Sequence, residues 1–193
     1  MCGRYYIDDS ILDSVERLVQ KTYRDKPYWT ARDVHPTDTA PVISAAANGL
    51  AVVMQRWGYP GRQKGTTVFN ARAESVTDRR MFENGIRRHR AVIPCTRFYE
   101  WNREKEKAEF SRTDSPVLYL AGFYDRFEDG DRYIILTTAA NASMAGIHDR
   151  MPLILEEAEV PEWVTDDAGT EKILRKVPAL LQKRMEYEQR SFL

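Results

Sequence analysis

The sequence predicts an α+β single domain, a mostly antiparallel sheet curled into a barrel-like core around a channel, with a few helices at the periphery. Three observations lead there. Apolar runs of strand length follow one another through tight-turn dipeptides, so hairpins outnumber strand-helix-strand alternation. Helical periodicity is confined to one stretch near the start and a weaker one in the tail. The 193 residues suit one core of ordinary size without disulfides or structural metal, and with no repeat, low-complexity linker or internal boundary, residues 1–193 read as one domain.

Composition narrows the class. With 42% hydrophobic and 30% charged residues, and no apolar run approaching ~18 residues, the chain is expected to be neither disordered nor membrane-spanning. Arg4, Asp8 and Asp9 stand where the apolar core of a secretory signal would lie, so the cytoplasm is the expected compartment. Two cysteines, Cys2 and Cys95, are too few for a structural zinc site and are not expected to pair in a reducing cytosol. No metal, no cofactor and a monomer are expected. Net charge is zero, but residues 62–107 hold twelve Lys and Arg against six Asp and Glu. That excess is either a solvated mixed-charge surface or a phosphate-binding face.

In chain order, a short N-terminal strand precedes a helix capped by Asp8 or Asp9, with Ile11, Leu12, Val15, Leu18 and Val19 at helical spacing. Residues 22–36 read as irregular, with His35 given no role. Residues 42–46 and 50–57 flank Asn48-Gly49, which suits a type I′ hairpin turn. Residues 68–74 read as an extended segment, its period of two putting Asn70, Arg72 and Glu74 on one face. Thr77 is a candidate cap for a short basic helix through Arg79, Arg80, Met81, Phe82 and Ile86, closing near Gly85 or the following turn. Residues 91–101 read as a core strand broken at Pro94, and within it Glu100 is the oddity. A carboxylate between Tyr99 and Trp101 in such a strand needs a partner, a cavity or a proton. Residues 102–115 read as a charged hairpin loop, and 117–124 and 133–138 as strands joined around Asp129-Gly130. His148, beside Asp149 and Arg150 and just before an apolar strand at 153–155, is an acid-base candidate. The tail from residue 161 reads as a weakly amphipathic covering helix.

The first residues carry the chemistry of greatest interest. Removal of Met1 makes Cys2 the terminus, with a thiol and an α-amine of ordinary pKa near ~8 on adjacent carbons. Such a 1,2-aminothiol condenses with an aldehyde as an imine and closes a thiazolidine through sulfur, or attacks an amide with its own amine as base.

Four separated pieces, Met1-Cys2-Gly3-Arg4-Tyr5, Phe69-Asn70-Ala71-Arg72-Ala73-Glu74, Phe98-Tyr99-Glu100-Trp101 and Ile147-His148-Asp149-Arg150-Met151-Pro152, together with Arg56-Trp57-Gly58 and Thr137-Thr138-Ala139, resemble the SRAP family. These SOS-response-associated peptidase proteins are understood as abasic-site processing proteins. The resemblance runs from Cys2 to about Trp163. It implies an SRAP-like fold and a DNA-damage partner, single-stranded DNA containing abasic sites, bound at the nucleoid. It implies catalytic roles for Cys2 as the linking residue, Asn70 in orienting the sugar or amine, Glu100 in moving protons at the carbinolamine, and His148 in opening the sugar. Arg4, Arg72, Arg80 and Arg150 match positions that contact DNA phosphates, with Trp57 and Trp101 as apolar walls or stacking faces. An associated lyase activity and self-removal of Met1 follow from the same resemblance.

Two other readings stand beside it. One is an N-terminal-nucleophile amidohydrolase or cysteine peptidase, since glutamine amidotransferases also begin Met-Cys-Gly, but the accompanying glutamine-pocket pattern is missing. The other is a single-strand-binding module in which Cys2 is incidental, which predicts equal affinity for intact and abasic strands.

Overall fold

A computed structural model of the chain describes residues 2–19 and 30–185. The opening strand β1 (Tyr5–Ile7) leads into a single 3-10 turn, Asp9–Ile11, where the Asp8 carboxylate accepts from the Ser10 amide at 3.0 Å. Asp8 is therefore the cap. Helix α1 (Leu12–Val19) follows and buries Val15 and Val19, as its spacing requires. The irregular stretch expected from residue 22 lies largely outside the described residues; the chain resumes before β2 (Arg32–Val34).

Strands β3 (Thr39–Ala46) and β4 (Gly49–Trp57) form the expected hairpin, but not through a type I′ turn. Only Gly49 has a positive φ there, +117°, while Asn48 does not. A type I′ turn needs both central residues left-handed, so the register closes Ala46 against Gly49 through a glycine bulge instead. Short strands β5 (Tyr59–Pro60) and β6 (Thr67–Val68) make a side hairpin before β7 (Asn70–Arg72). The extended segment thus stops at Arg72, and residues Ala73–Asp78 coil into a 3-10 helix carrying Glu74. The basic helix is shorter than expected: α2 spans Glu83–Arg88, Arg79 and Arg80 precede it, and Gly85 lies inside it. A Cβ at Gly85 would meet the Phe123 ring at 2.5 Å, so this glycine is there for close packing rather than for helix termination.

The core segment is two strands. β8 (Arg90–Cys95) is buried at every residue, and β9 (Arg97–Trp101) belongs to a different sheet. The break falls at Thr96; Pro94 sits inside β8 opposite Tyr119. Strand β3 pairs with β8 only at Ala91 and Val92, so one flank of β8 has no partner strand at Pro94 and the missing amide donor is tolerated. β10 (Lys107–Ser111) occupies part of the expected loop and pairs with β9. β11 (Leu118–Phe127) and β12 (Gly130–Ala139) form the second long hairpin. A 3-10 turn at Ala142–Met144 precedes β13 (Arg150–Pro152) and β14 (Ile154–Leu155). The tail holds α3 (Glu159–Thr165), α4 (Thr170–Leu174) and, in place of more helix, β15 (Gln182–Met185) paired with β10.

Two sheets result. Strands β4, β3, β8, β11 and β12 close on themselves into a five-stranded barrel, sealed by a parallel contact of β12 with β4 and flanked by β13, β14 and β7. A second, open sheet runs in the order β15-β10-β9-β1-β2. The α+β expectation and its barrel-like core hold. Aromatic side chains tie the two sheets together. Trp57 and Tyr133 stack inside the barrel with centroids 6.1 Å apart, and Tyr5 of the second sheet packs on Trp57 at 5.2 Å. The Tyr5 and Tyr133 hydroxyls are hydrogen-bonded at 2.5 Å, giving both buried phenols a partner. Among the described residues no helix is long and apolar enough to cross a membrane.

Candidate active site

The Tyr5 anchor fixes where Cys2 goes. β1 and β9 are antiparallel with Tyr5 opposite Phe98, and the ladder continues outward as the Tyr99 amide donates to the Arg4 carbonyl at 3.0 Å. Extending that register sets Gly3 opposite Glu100 and Cys2 opposite Trp101. Cys2 and Glu100 are both buried. Burial pushes the Cys2 thiol far above its ordinary pKa, and the negative charge of Glu100 adds to the effect. The sulfur is therefore a thiol, not a thiolate, at neutral pH.

Asn70 arrives from the barrel side. It opens β7, which lies parallel to β12 with Asn70 opposite Ile135. Its Nδ2 donates to the Cys2 carbonyl at 2.8 Å, and its Oδ1 is buried with no hydrogen-bond partner among the described residues. Asn70 thus pins the Cys2 backbone and turns a spare acceptor into the same interior. An unmet buried acceptor of this kind costs about 1–3 kcal/mol until a donor arrives.

His148 follows the 3-10 turn whose start is capped by the Asn141 side chain, and Gly146, at φ +78°, supplies the reversal that delivers it. Its Nδ1 is 2.9 Å from the Arg150 amide nitrogen and 2.9 Å from Asp149 Oδ1. One nitrogen serves only one of these at a time. Accepting from the Arg150 amide requires Nδ1 unprotonated, whereas donating to Asp149 requires a proton there. Asp149 is almost fully exposed and its attraction is screened by water, so the amide bond is the contact that orients the ring.

Arg150 is the girder behind that loop. Its guanidinium grips the Glu74 carboxylate through two bonds of 2.8 Å each and donates to the Thr137 carbonyl at 2.6 Å. These bonds hold the Glu74 carboxyl below the usual carboxylate range. β12 lies between the partners, pairing β7 on one side and β13 on the other. The Thr137-Thr138-Ala139 segment is the spine joining Asn70 to His148.

A cleft of about 720 Å³ opens over the site, lined by Trp101, Asn102, Arg103 and Glu104 on one side and by Gly146, Ile147, His148 and Asp149 on the other. His148 and Trp101 both line this cleft, whereas Cys2 and Glu100 are buried and do not line it. The remaining sequence candidates divide. Arg72 and Arg80 are exposed. Arg4 is bound to Asp33 and lies over the Tyr99 ring at 5.0 Å. Trp101 is 38% exposed and presents a ring to solvent. Trp57 does not. It is fully buried with Tyr5, Phe69 and Tyr133 around it and its Nε1 bonded to the Phe69 carbonyl, so the expected wall or stacking face for DNA is instead a core residue. It ends β4 inside the barrel, where Gly58, at φ +101°, turns the chain.

Residues 1–190 match the family model described as SOS response associated peptidase (SRAP). The chain belongs to the SRAP family. Among curated relatives, abasic site processing protein YoaM of Bacillus subtilis (strain 168) is 27% identical over 85% of this chain and 79% of its own length. Abasic site processing protein YedK of Escherichia coli (strain K12) is 27% identical over 86% and 81%. A Bordetella bronchiseptica protein of known crystal structure superposes with a TM-score of 0.78 at 21% identity, over 97% of this chain and 100% of that one. One from Bacteroides thetaiotaomicron gives 0.77 at 21% identity, over 95% and 91%. Both of these curated relatives carry the name abasic site processing protein.

Sequence reasoning missed the role of three features of this SRAP protein. Glu74 was grouped with Asn70 and Arg72 by strand alternation, yet it leaves that strand and becomes the clamp on Arg150. The Tyr5–Tyr133 bond, spanning 128 positions, left no local signal. Arg90 was counted in the basic excess but is a buried brace, bonded to the Trp163 carbonyl at 2.6 Å and to Asp167 at 2.6 Å.

Proposed function

We propose that this SRAP protein captures abasic sites in single-stranded DNA by forming a thiazolidine between Cys2, freed of Met1, and the sugar aldehyde. The observation that carries the reading is the convergence on Cys2 of an asparagine bonded to its carbonyl and a buried glutamate beside its thiol, beneath a cleft edged by His148 and Trp101. Capture needs this inventory. His148 at the mouth opens the closed sugar by moving a proton between the ring oxygen and the anomeric hydroxyl. The Cys2 α-amine adds to the aldehyde carbon, giving a carbinolamine. Glu100, as a carboxylate, takes the two amine protons in turn and passes each to the oxygen, which leaves as water, and a neutral imine remains. Sulfur then adds to the imine carbon while the thiol proton passes to the nitrogen, and the five-membered ring closes with atoms and charge in balance. Asn70 orients the terminus through the Cys2 carbonyl and offers Oδ1 to a donor on amine or sugar.

The same imine acidifies the neighbouring sugar proton, whose loss expels the 3′ phosphate; this is the lyase branch. Ring closure by sulfur diverts the imine from that fate and protects the strand. Self-removal of Met1 prepares the amine. We place the activity in the cytoplasm, on nucleoid DNA. The protonated state of Cys2 favours this order of events over peptidase chemistry, because a cysteine protease attacks with a thiolate and Glu100 opposes one here. The amine leads and the thiol follows.

The test is intact mass before and after incubation with an abasic oligonucleotide. Loss of Met1 followed by addition of the strand with loss of one water is expected. Cys2→Ser should leave a transient imine trapped only by borohydride; a persistent Cys2→Ser crosslink without reductant would sink the thiazolidine account.

A further inference from the structure

The loop that carries His148 is closed at its base, where the Ala140 amide donates to the Asp149 carbonyl at 3.0 Å beside the β12–β13 ladder, and Glu74 clamps Arg150 just beyond it. A further tie runs to the tail, and one side chain makes it. Asn141 begins the loop and uses both ends of its amide. Oδ1 accepts from the Ser143 amide at 3.0 Å and from the Ser143 hydroxyl, which caps the 3-10 turn. Nδ2 donates to the carbonyls of Pro178 at 2.9 Å and Ala179 at 3.1 Å. These partners fix which end is which, because a backbone amide only donates and a carbonyl only accepts. Aspartate or serine would cap the turn as well as asparagine, but neither can also hold two carbonyls of the tail.

The tail leads from there to the other residues of the cleft. Pro178 and Leu181 are buried, and β15 follows at once, pairing with β10. β10 is the partner of β9, and the turn between them carries Asn102, Arg103 and Glu104, which line the cleft together with Trp101. Within β15, Lys183 extends its Nζ to 3.4 Å from the Ala145 carbonyl, next to Gly146 of the His148 loop. The tail thus joins the loop bearing His148 to the sheet bearing Trp101. We propose that Asn141 is a positioning residue for His148: by binding the start of the loop to the tail, it sets where His148 stands relative to the β9–β10 hairpin when the abasic sugar is opened. The proposal rests on the role of His148 argued above and deepens it, since it names what holds that residue from the C-terminal side.

The test uses the full chain and two variants, Asn141→Asp and Asn141→Ser. Each keeps an oxygen to cap the turn and loses the amide that holds the tail, one with a charge and one without, so a residue that served only as a cap would tolerate both. The first readout needs no DNA. The chain has three histidines, His35, His89 and His148, and only His148 lines the cleft, so the imidazole nitrogen signals of the other two serve as internal references in an NMR spectrum. Both variants should shift or broaden the His148 signals and leave those of His35 and His89 in place. The second readout is capture of an abasic oligonucleotide. At saturating strand the rate should fall about tenfold, short of the ~100-fold that a 1 Å misplacement can cost, with the half-saturating concentration unchanged. In a His148→Ala background, Asn141→Asp should slow capture no further, because a residue acting through His148 has nothing left to position. Native His148 signals in both variants would overturn the proposal, as would a native saturating rate or an additive loss in the double variant. A native protein that forms no adduct with the abasic strand refutes the capture reading instead, and the His148 signals then decide the positioning role alone.

Discussion

Replacing Glu74 by Gln tests whether the loop carrying His148 is held from behind. In the native protein the Arg150 guanidinium is mostly buried, meets Glu74 through two bonds of 2.8 Å and meets the Thr137 carbonyl at 2.6 Å. Its Nε is buried without a hydrogen-bond partner among the described residues. A charge-assisted bond contributes about 1.5–3 kcal/mol when shielded, so two would give about 3–6 kcal/mol. Glu74 is about half exposed, and screening cuts this to about 1–2 kcal/mol. At about 2–4 °C per kcal/mol for a chain of this size, the melting temperature should fall by about 2–8 °C. The pH dependence identifies the cause. The Glu74 carboxyl is held below its ordinary value, so its contribution is complete above the unfolded carboxylate pKa of ~4.3 and is lost as pH falls through the lower folded value. The native and Glu74→Gln proteins should therefore differ in urea midpoint at pH 7 and converge toward pH 3. Because the Arg150 amide also fixes Nδ1 of His148, the capture rate should drop several-fold while alkylation of Cys2 stays unchanged. A midpoint difference that persists undiminished at low pH would refute the reasoning.

Four further outcomes follow from the same geometry. Cys2, raised by burial and by Glu100, should react with iodoacetamide at pH 8 at least tenfold more slowly than Cys2 in the urea-unfolded chain, and Glu100→Gln should accelerate the folded reaction; equal folded and unfolded rates would remove the case for an amine-first mechanism. The raised thiol also binds its proton in the folded state where the unfolded thiol has lost it, so stability should decline above pH ~8.5, and Cys2→Ala should flatten part of that decline in urea titrations. Tyr133→Phe leaves the Tyr5 hydroxyl buried without its partner and should cost about 1–3 kcal/mol by urea denaturation, with slower capture because Tyr5 anchors β1; Trp101→Ala should weaken strand binding by about 1–3 kcal/mol without loss of stability.

What the sequence made legible has a physical pattern. Strands and hairpins showed because alternation and glycine-bearing turns are local, and Gly49 and Gly130 sit at the turns with positive φ as expected. The grouping of Cys2, Asn70 and Glu100 was reachable only through their family motifs, because nothing in three segments separated by dozens of residues states that they meet. Errors arose where a local rule competed with packing. Alternation carried Glu74 onto a strand that ends at Arg72. Trp57 was assigned as a wall or stacking face for DNA through the family resemblance, which carries no information on its burial. The barrel needs a large flat side chain there to receive Tyr5 and Tyr133.

That displacement of Trp57 bears on how the fold works. A closed barrel alone has no place for a reactive terminus, and an open sheet alone has no rigid wall to set against one. Here β1 belongs to the open sheet, but Tyr5 on it is stacked on Trp57 and bonded to Tyr133, both barrel residues. Three residues upstream, Cys2 is bonded at its carbonyl by Asn70, which β7 holds against the barrel strand β12. Glu100 comes from the open sheet and His148 from the loop that β12 and β13 brace. The site is therefore the seam between the sheets, and its precision depends on their docking rather than on either sheet alone. Substitutions that loosen the Tyr5–Trp57–Tyr133 stack should slow capture even though none of these side chains meets DNA.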